Sequence, residues 1–245
     1  MNKVSKITII TINYDDLGDL KKTIQSVDSQ KSRPQKHIIV SKKLKLNQLT
    51  KFKKKYRRFI LGKDNSLFNA MNIGKKYSLN SPVIFLNSGD IFYNNNSIGL
   101  IQKYYKVLKK NKVVIFKTVL VSEDNYFYPK KKYYNDKNYL PHSSFIFYNS
   151  KHLSKINFDE KMIVTADGKW MRQILKKSNG LIKSKYNLVL QNLDGQSSVP
   201  STRTILLRFD ENIWSGIKEI IKFLIKLFLN KSSYFRVIYF KKYDS

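Results

Sequence analysis

The 245-residue sequence contains no cysteine, and both acidic residues and histidines are scarce. Without cysteine there can be no disulfide framework, no thiolate zinc site and no cysteine nucleophile. The three histidines, His37, His142 and His152, are too few for a histidine-rich metal centre. Nine glycines and five prolines exclude a collagen-like or linker-rich architecture. The length fits one large domain, or one domain with an appendage.

Long apolar runs are missing as well. No stretch of about 18 uncharged apolar residues occurs, so no transmembrane helix is expected. Residues 1–6 lead directly into a strand-like segment and lack the apolar core of a secretory signal. We therefore expect a cytoplasmic protein.

Positive charge is what the sequence has in excess. Lys and Arg number 47 against 17 Asp and Glu, which gives a formal net charge of +30. Such an excess predicts a polyanionic neighbour, either nucleic acid or an anionic membrane surface. The runs Lys51–Arg58 and Lys130–Tyr134 mix cations with aromatic rings. Because no RNA- or DNA-binding motif accompanies them, we favour a solvated, membrane-facing surface and expect no nucleic-acid partner.

Hydrophobic patterning predicts alternating strands and helices. Ile7–Ile12 is an apolar, β-branched run, typical of a strand that is buried on both faces. Further strands are predicted at Lys36–Val40, Arg58–Leu61 and Pro82–Leu86, with a helix at Ser66–Ser78. This order predicts an α/β fold with an open, mostly parallel sheet and right-handed crossovers.

Three of the scarce acids occupy positions at which a carboxylate can bind a ligand or act in catalysis. Asp64 and Asp90 follow the third and fourth predicted strands, and open α/β sheets bind ligands beyond the carboxyl ends of their strands. A carboxylate beside Gly89 can hold Mg²⁺ or Mn²⁺ against a diphosphate, or can simply belong to a turn. Asp167 lies near the start of a predicted helix, as either a cap or a general base that faces a cleft.

Several segments resemble the family 2 glycosyltransferases of the GT-A fold, in particular bacterial members similar to colanic acid and O-antigen transferases. Residues 7–30 look like the opening strand and the helix that ends in S-x-x-x-Q. Residues 64–75 (DNSLFNAMNIGK) are similar to the D-x-G-I-Y-D-A-M-N-x-G element, and residues 85–90 (FLNSGD) to the variant D-x-D metal motif. The acceptor-side half is matched by Pro141–His142, Phe158–Glu160 and Thr165–Asp167.

For the donor, the resemblance implies an inverting, metal-dependent enzyme that uses a nucleotide sugar, expected to be a UDP-sugar. Asp90 would coordinate Mn²⁺ or Mg²⁺ at the donor diphosphate. Thr11, Asn13 and Asp64 would line the nucleotide-sugar pocket. Asn72 belongs to the same element, more as structural support than as a direct contact. The fold implied is a Rossmann-like, mostly parallel sheet flanked by helices.

For the acceptor, the resemblance implies hexosyl or N-acetylhexosaminyl transfer to a polyprenyl-diphosphate-linked glycan in surface-polysaccharide biosynthesis. Asp167 would take the proton from the acceptor hydroxyl, which attacks the anomeric carbon opposite the leaving group. His142 would border the acceptor pocket or the metal, or else serve only the surface structure. Such an enzyme would act at the inner face of the cell membrane.

The sequence also departs from the family pattern. The acid that often follows the second strand is replaced in Val40–Lys43 (VSKK), which leaves nucleotide preference open. Ser66 stands in place of a glycine, Asn69 in place of the second aspartate, and Lys169 where a second acid often follows the base. Two alternatives therefore remain: a basic nucleic-acid-binding module, and a catalytically inactive homologue that acts as an assembly partner.

The C-terminal stretch predicts a basic amphipathic helix. In Ile213–Leu229, Lys218, Lys222 and Lys226 recur every four residues, and apolar side chains fill the remaining arc. This pattern is typical of a helix in a membrane interface, although packing onto the catalytic domain or a second subunit would also use it. We therefore divide the chain into a GT-A domain, 1–205, and a membrane-associating segment, 206–245.

Overall fold

The computed structural model describes residues 3–122, 125–129, 140–162 and 165–193, and near the C-terminus 201–202, 205–206, 209, 213–230, 233–234, 237 and 240–242. Two compact units are present, Met1–Thr118 with Leu140–Leu190, and Val119–Tyr139 with Gln191–Ser245. The boundary predicted at residue 205 stays a prediction. The basic run Lys130–Tyr134 lies outside the described residues.

Strands and helices alternate through the first half of the chain. In chain order the strands are β1 (Lys3–Val4), β2 (Thr8–Asn13), β3 (Ser32–Arg33), β4 (Lys36–Ser41), β5 (Arg57–Leu61), β6 (Pro82–Phe85), β7 (Ile91–Phe92), β8 (Val113–Ser122), β9 (Asn125–Pro129), β10 (Phe145–Tyr148), β11 (Leu181–Asn192) and β12 (Phe240–Lys242). The helices are α1 (Leu17–Asp28), α2 (Leu46–Leu49), α3 (Leu67–Lys76), α4 (Ser97–Lys103), α5 (Tyr105–Lys109), α6 (Ala166–Lys177) and α7 (Ile213–Phe228). Short 3₁₀ turns lie at Thr50–Phe52, His142–Ser144 and Leu153–Lys155.

The first unit is built on a mostly parallel sheet in the order β8-β10-β6-β2-β4-β5. Strands β2, β4, β5 and β6 run parallel, and β10 is antiparallel to both β6 and β8. Two smaller pairings, β1 with β3 and β7 with β11, accompany this sheet. The predicted open, mostly parallel α/β sheet is confirmed, and the four predicted parallel strands lie within one residue of their expected ends.

Alternate residues of the strands belong to two apolar clusters, one on each face of the sheet. Ile10, on one face, belongs to a cluster that includes Phe68 of α3 and Trp170 of α6. Ile9, on the other face, belongs to a cluster that includes Ile101 of α4. Because successive strand side chains point to opposite faces, a strand covered by helices on both sides must be apolar or have its polar side chains hydrogen-bonded, as Thr8, Thr11 and Asn13 are. All residues of β2 are buried accordingly.

Gly74 allows α3 to lie close against the sheet. We expect Gly74→Ala to lower the free energy of unfolding by about 1–3 kcal/mol, because overpacked cores must shift their neighbours. A Cβ here would lie 2.5 Å from Cγ2 of Ile10 and 3.5 Å from Cγ2 of Val40. Urea denaturation measures the change. Gly168→Ala is the matched control, since its added Cβ meets nothing closer than 3.4 Å, and equal effects of both variants would contradict the prediction.

The second unit has its own small core. Strand β9 pairs with β12 and with the last residues of β8. Leu120, Phe127, Leu193 and Tyr234 form a buried cluster there, and Ile225 of α7 packs against it. Among the described residues, no helix combines the length and apolar character needed to span a membrane.

Candidate active site

The parallel strands β2, β4, β5 and β6 finish at one side of the sheet, which we call the carboxyl edge. There the side chain of Asn13 joins three strand ends. Its Oδ1 accepts a hydrogen bond from Ser41 Oγ at 3.0 Å, and its Nδ2 donates to Ser88 Oγ at 2.9 Å. Ser41 is therefore a buried hydroxyl that orients Asn13, at the place where the family pattern carries an acid.

Asp64 lies just beyond the end of β5 at the carboxyl edge. The residue is only 6% exposed, and its Oδ1 has no hydrogen-bond partner within the described part of the chain. Burial raises the pKa of Asp64, although its own backbone N–H and the positive charge of Lys42 act in the opposite direction. A buried carboxylate oxygen without a donor costs free energy unless a ligand satisfies it.

Asp90 ends a short loop that follows β6. Its Oδ2 accepts a hydrogen bond from Ser143 Oγ at 2.7 Å. The hydroxyl of Thr23 in α1 secures the loop, because it donates to the carbonyl of Asp90 at 2.8 Å and accepts from the N–H of Gly89 at 3.0 Å. Gly89 has φ +93°, a conformation that a side chain would strain. The carboxylate of Asp90 is thus held firmly in place, only 5% exposed.

A divalent cation fits Asp90 only if the substrate supplies most of the ligands. No group of three His, Asp or Glu side chains that could hold a metal ion occurs in the described residues. Mg²⁺ and Mn²⁺ are often held by one or two carboxylates together with substrate phosphates. The hard oxygen donors of Asp90 suit that arrangement.

His142 lies within electrostatic range of Asp167. Burial lowers the pKa of His142, and the negative charge of Asp167 works against that shift. The imidazole stacks on Phe85 with 5.4 Å between ring centroids, and its Nε2 is buried without a hydrogen-bond partner in the described residues. Asp167 is half-buried in the first turn of α6, whose N-cap is Thr165. Asp167 is therefore not the cap of this helix.

Thr11 belongs to a buried polar chain. Arg57 Nε donates to His37 Nδ1 at 3.1 Å, so the proton of this imidazole lies on Nε2 and points to Thr11 Oγ1 at 3.0 Å. Thr11 in turn donates to the carbonyl of Leu86 at 2.7 Å. Burial keeps the pKa of His37 well below its ordinary value. The Thr11 side chain is fully buried, and its contact with a nucleotide stays a prediction.

Asn72 connects α3 with the segment 158–160. Its Nδ2 donates to the Phe158 carbonyl at 3.0 Å and to Glu160 Oε1 at 2.7 Å, and its Oδ1 accepts from the N–H of Phe158. Asn69, one turn earlier, donates to the other oxygen of Glu160 at 2.9 Å. These bonds are a scaffold for the acceptor-side segment, and a nucleotide contact of Asn72 also stays a prediction.

The structure adds site residues that the sequence did not single out. Ser143 holds Asp90, Thr23 secures its loop, and Glu160 bridges two asparagines. Thr23 carried a signal as a polar residue on the buried stripe of α1, and Glu160 carried one as part of the matched segment 158–160. Contacts between residues so far apart, such as the 53 positions between Ser143 and Asp90, leave no periodic pattern in the sequence.

The exposed part of the run Lys51–Arg58 lines a cavity of about 520 Å³ at the start of β5. Lys53, Lys54 and Lys55 are exposed, whereas Arg57 is buried. Since this run leads into the start of β5 and Asp64 follows its end, the basic surface lies at the opposite end of β5 from Asp64.

No protein-family model and no curated protein matches the sequence. Among solved structures, residues 1–349 of S. aureus TarS match with 15% identity and a TM-score of 0.63, over 76% of this chain and 60% of that one. TarS 1–349 in complex with UDP-GlcNAc matches with 14% identity and a TM-score of 0.63, over 95% and 76%. A longer TarS structure is matched over only 45% of its length, with 13% identity and a TM-score of 0.61.

These similarities establish the fold. The chain has the GT-A fold of glycosyltransferases, as the sequence predicted. The narrower likeness to colanic acid and O-antigen transferases stays a prediction.

Proposed function

We propose that this protein is a glycosyltransferase that moves a sugar from a nucleotide-sugar donor to a hydroxyl of an acceptor glycan. The observation that carries the proposal is the buried, unpartnered carboxylate oxygen of Asp64 at the carboxyl edge of a GT-A sheet. TarS, which shares the fold, has been solved with UDP and with UDP-GlcNAc. The proposed donor is therefore a UDP-sugar.

The nucleoside would be bound at the ends of β2, β4 and β5. The free Oδ1 of Asp64 would accept a hydrogen bond from an N–H or O–H group of the nucleotide, which removes the cost of an unsatisfied buried acceptor. The Nδ2 of Asn13 already donates to the Asp16 carbonyl and to Ser88 Oγ, so Asn13 would meet the same ligand through its Oδ1, which Ser41 orients. Thr11 would support this pocket through the carbonyl of Leu86.

Asp90 would hold Mn²⁺ or Mg²⁺, which when bound offsets the negative charge of the departing nucleoside diphosphate. Asp167 would take the proton of the acceptor hydroxyl. The acceptor oxygen then forms its bond to the anomeric carbon as the bond from that carbon to the diphosphate breaks, with inversion. His142, neutral because of its burial, would accept or donate a hydrogen bond at the acceptor hydroxyl through its free Nε2.

An active enzyme is favoured over an inactive homologue, because all three principal acids, Asp64, Asp90 and Asp167, are present. The proposed acceptor is a polyprenyl-diphosphate-linked glycan used in surface-polysaccharide synthesis. Whether the transferred sugar is a hexose or an N-acetylhexosamine would follow from the donor.

Calorimetric titration of the full chain with UDP and Mn²⁺ tests the proposal, with EDTA, GDP and single-stranded DNA as comparison arms. We expect binding of UDP that EDTA weakens, and Asp90→Ala should weaken the Mn²⁺-dependent part about tenfold or more. Preference for GDP would still support a glycosyltransferase, with a GDP-sugar as the donor. Salt-sensitive DNA binding without nucleotide binding would overturn the proposal in favour of a nucleic-acid module.

Asp64→Asn is expected to weaken UDP binding about tenfold or more while it raises thermal stability. Because the folded-state pKa of Asp64 is raised, the stability contributed by its neutral form is lost as the pH rises through that pKa. At neutral pH the buried charge is therefore destabilising, and the amide removes it. Calorimetry and thermal melting at pH 7.5 measure both effects. Asp15→Asn, an exposed acid, is the control, and a lower melting temperature with full UDP binding would contradict this role.

The proposed site of action is the inner face of an anionic membrane, reached through α7. One side of this helix exposes large apolar residues: Ile213, Trp214, Ile217, Ile220, Ile221, Leu224, Leu227 and Phe228. The opposite side carries Glu219, which is buried and paired with Lys222 at 3.1 Å, while Lys218 is exposed. An apolar arc with flanking lysines, on a chain of net charge +30, matches the chemistry of an anionic bilayer interface.

Sedimentation with vesicles tests this helix in the full-length chain. We expect the triple substitution Trp214→Gln, Leu224→Gln and Leu227→Gln to reduce binding to phosphatidylglycerol vesicles more than tenfold, because apolar area is no longer buried in the interface. Substituting the exposed leucines Leu79 and Leu181 by Gln is the control. A helix that instead mediates a dimer, seen by ultracentrifugation and lost in the triple variant, would overturn membrane attachment.

A further inference from the structure

A second cavity in the first unit has the chemistry of a sugar-binding site. Its volume is about 370 Å³, and it lies between the segment after β7, the helix α4 and the strand β11. The lining residues are two tyrosines, three asparagines, two lysines and one leucine: Tyr93, Tyr186, Asn94, Asn96, Asn187, Lys103, Lys185 and Leu100. The volume is in the range of small-molecule sites.

The two tyrosines are the most unusual members of this set. Tyr93 is 39% and Tyr186 is 49% exposed, although large aromatic side chains are normally buried or placed at an interface. An exposed aromatic ring offers an apolar, rigid face to a ligand at a low cost in conformational entropy. A pyranose has a matching face of C–H groups. Two such rings in one cavity therefore favour a saccharide over a ligand that is polar on every side.

The asparagine and lysine side chains that line the cavity also suit a sugar ligand. An asparagine side chain offers both donors and an acceptor, as neighbouring sugar hydroxyls require. Among the described residues, the side chains of Asn96 and Asn187 have no hydrogen-bond partner, so their amides are available. Lys103 and Lys185 are exposed and no acidic residue lines the cavity, which favours a ligand with negative charge.

The backbone that carries these side chains is held by buried hydrogen bonds. The N–H of Tyr93 donates to the carbonyl of Leu188 at 2.8 Å, and Ser97 Oγ donates to the same carbonyl at 3.3 Å. Gln30 Nε2 donates to the carbonyl of Asn94 at 2.7 Å. Because β7 and β11 are also paired at Phe92 and Val189, the lining is pre-organised, which lowers the cost of binding.

We propose that this cavity is a binding site for an oligosaccharide that carries carboxylate groups. Tyr93 would stack against a sugar ring, and so would Tyr186 on the face away from Lys185, whose Nζ lies 5.6 Å from the centre of the Tyr186 ring. Asn96 and Asn187 would bind hydroxyls, and Lys103 and Lys185 would pair with the acid groups. None of the proposed transferase residues Asp64, Asp90 and Asp167 lines this cavity, and binding there requires neither a nucleotide nor sugar transfer. The proposed saccharide site can therefore be tested independently of the proposed transferase activity.

Calorimetric titration of the full chain with tetragalacturonate and with maltotetraose tests the proposal. We expect tetragalacturonate to bind and maltotetraose to bind at least tenfold more weakly. The pair Tyr93→Ala and Tyr186→Ala should weaken binding of tetragalacturonate about tenfold or more. Tyr126→Ala, which removes another exposed tyrosine, is the control and should bind as the unaltered chain does.

A second set of variants is the control for non-specific binding caused by the protein's overall positive charge. Lys103→Gln with Lys185→Gln should weaken tetragalacturonate binding several-fold more than Lys106→Gln with Lys109→Gln, two exposed helix lysines outside the cavity. Equal losses in both pairs, no loss in the tyrosine variants, or no binding of tetragalacturonate would each overturn the proposal. Equal affinity for maltotetraose would overturn the requirement for acid groups.

Discussion

Replacing Asp167 by Asn is expected to lower the rate of sugar transfer by about 10²–10⁴-fold, the usual contribution of a general base. The amide keeps the size of the side chain and its position in the first turn of α6, but it cannot take the proton of the acceptor hydroxyl. UDP binding should stay unchanged, since Asp64 and Asp90 carry that part of the site. Release of UDP in the presence of donor and lipid-linked acceptor measures the rate, and calorimetry measures the binding.

Asp159→Asn provides the matched control. Asp159 is a partly exposed acid of the acceptor-side segment 158–160, and it pairs with Lys169 at 2.8 Å. An exposed pair of this kind contributes little, so transfer by this variant should remain near that of the unaltered chain. Unchanged turnover in Asp167→Asn, or an equal loss in both variants, would remove Asp167 as the base.

The removal of the Asp167 charge should also act on its neighbour. The negative charge of Asp167 opposes the lowering of the His142 pKa that burial causes. In Asp167→Asn that opposition is gone, so the pKa of His142 should fall further, which NMR titration of the imidazole would detect. A His142 pKa that does not move would show that the two side chains do not act as one acceptor site.

The fold could be predicted from sequence because its dominant signals are local. Every residue of β2 is buried because helices cover both faces of the sheet, and the β-branched run that leads into it can be recognised in the sequence without any knowledge of its partners. The carboxyl-end positions of Asp64 and Asp90 followed from the same strands. The sequence could not show which hydroxyl holds Asp90, because Ser143 reaches it only through the antiparallel strand β10.

The structure also explains the residues that depart from the family pattern. Ser66 is the N-cap of α3, and its Oγ accepts from the N–H of Asn69 at 3.2 Å. Asn69 donates to Glu160, where an aspartate would bring two carboxylates together. Lys169 pairs with Asp159. Each substitution thus has a partner in the structure, and only the partner of Asn69, which is 91 residues away, is distant in sequence.

A buried arginine of the first unit forms an ion pair outside the predicted site. Arg57, whose side chain is fully buried, donates to Asp28 at 2.5 Å, and Tyr56 and Lys54 also donate to this carboxylate. Burial works against the charged form of Asp28, yet these hydrogen bonds lower its pKa below the ordinary value. The stability that this adds is present at neutral pH and is lost as the pH falls through the lowered pKa. Through His37 and Thr11, Arg57 is also connected to Leu86, which precedes the Asp90 loop.

Asp28→Ala is therefore expected to lower the free energy of unfolding by about 3–5 kcal/mol, because it leaves the buried Arg57 charge without an anion. Urea denaturation measures this loss, and Asp19→Ala, which breaks only the exposed pair with Lys22, should cost less than about 1 kcal/mol. The double variant Asp28→Ala with Arg57→Met should recover part of the stability, since the uncompensated charge is then gone. If the double variant is no more stable than Asp28→Ala alone, the loss arises from packing around α1, and the ion pair is not its cause.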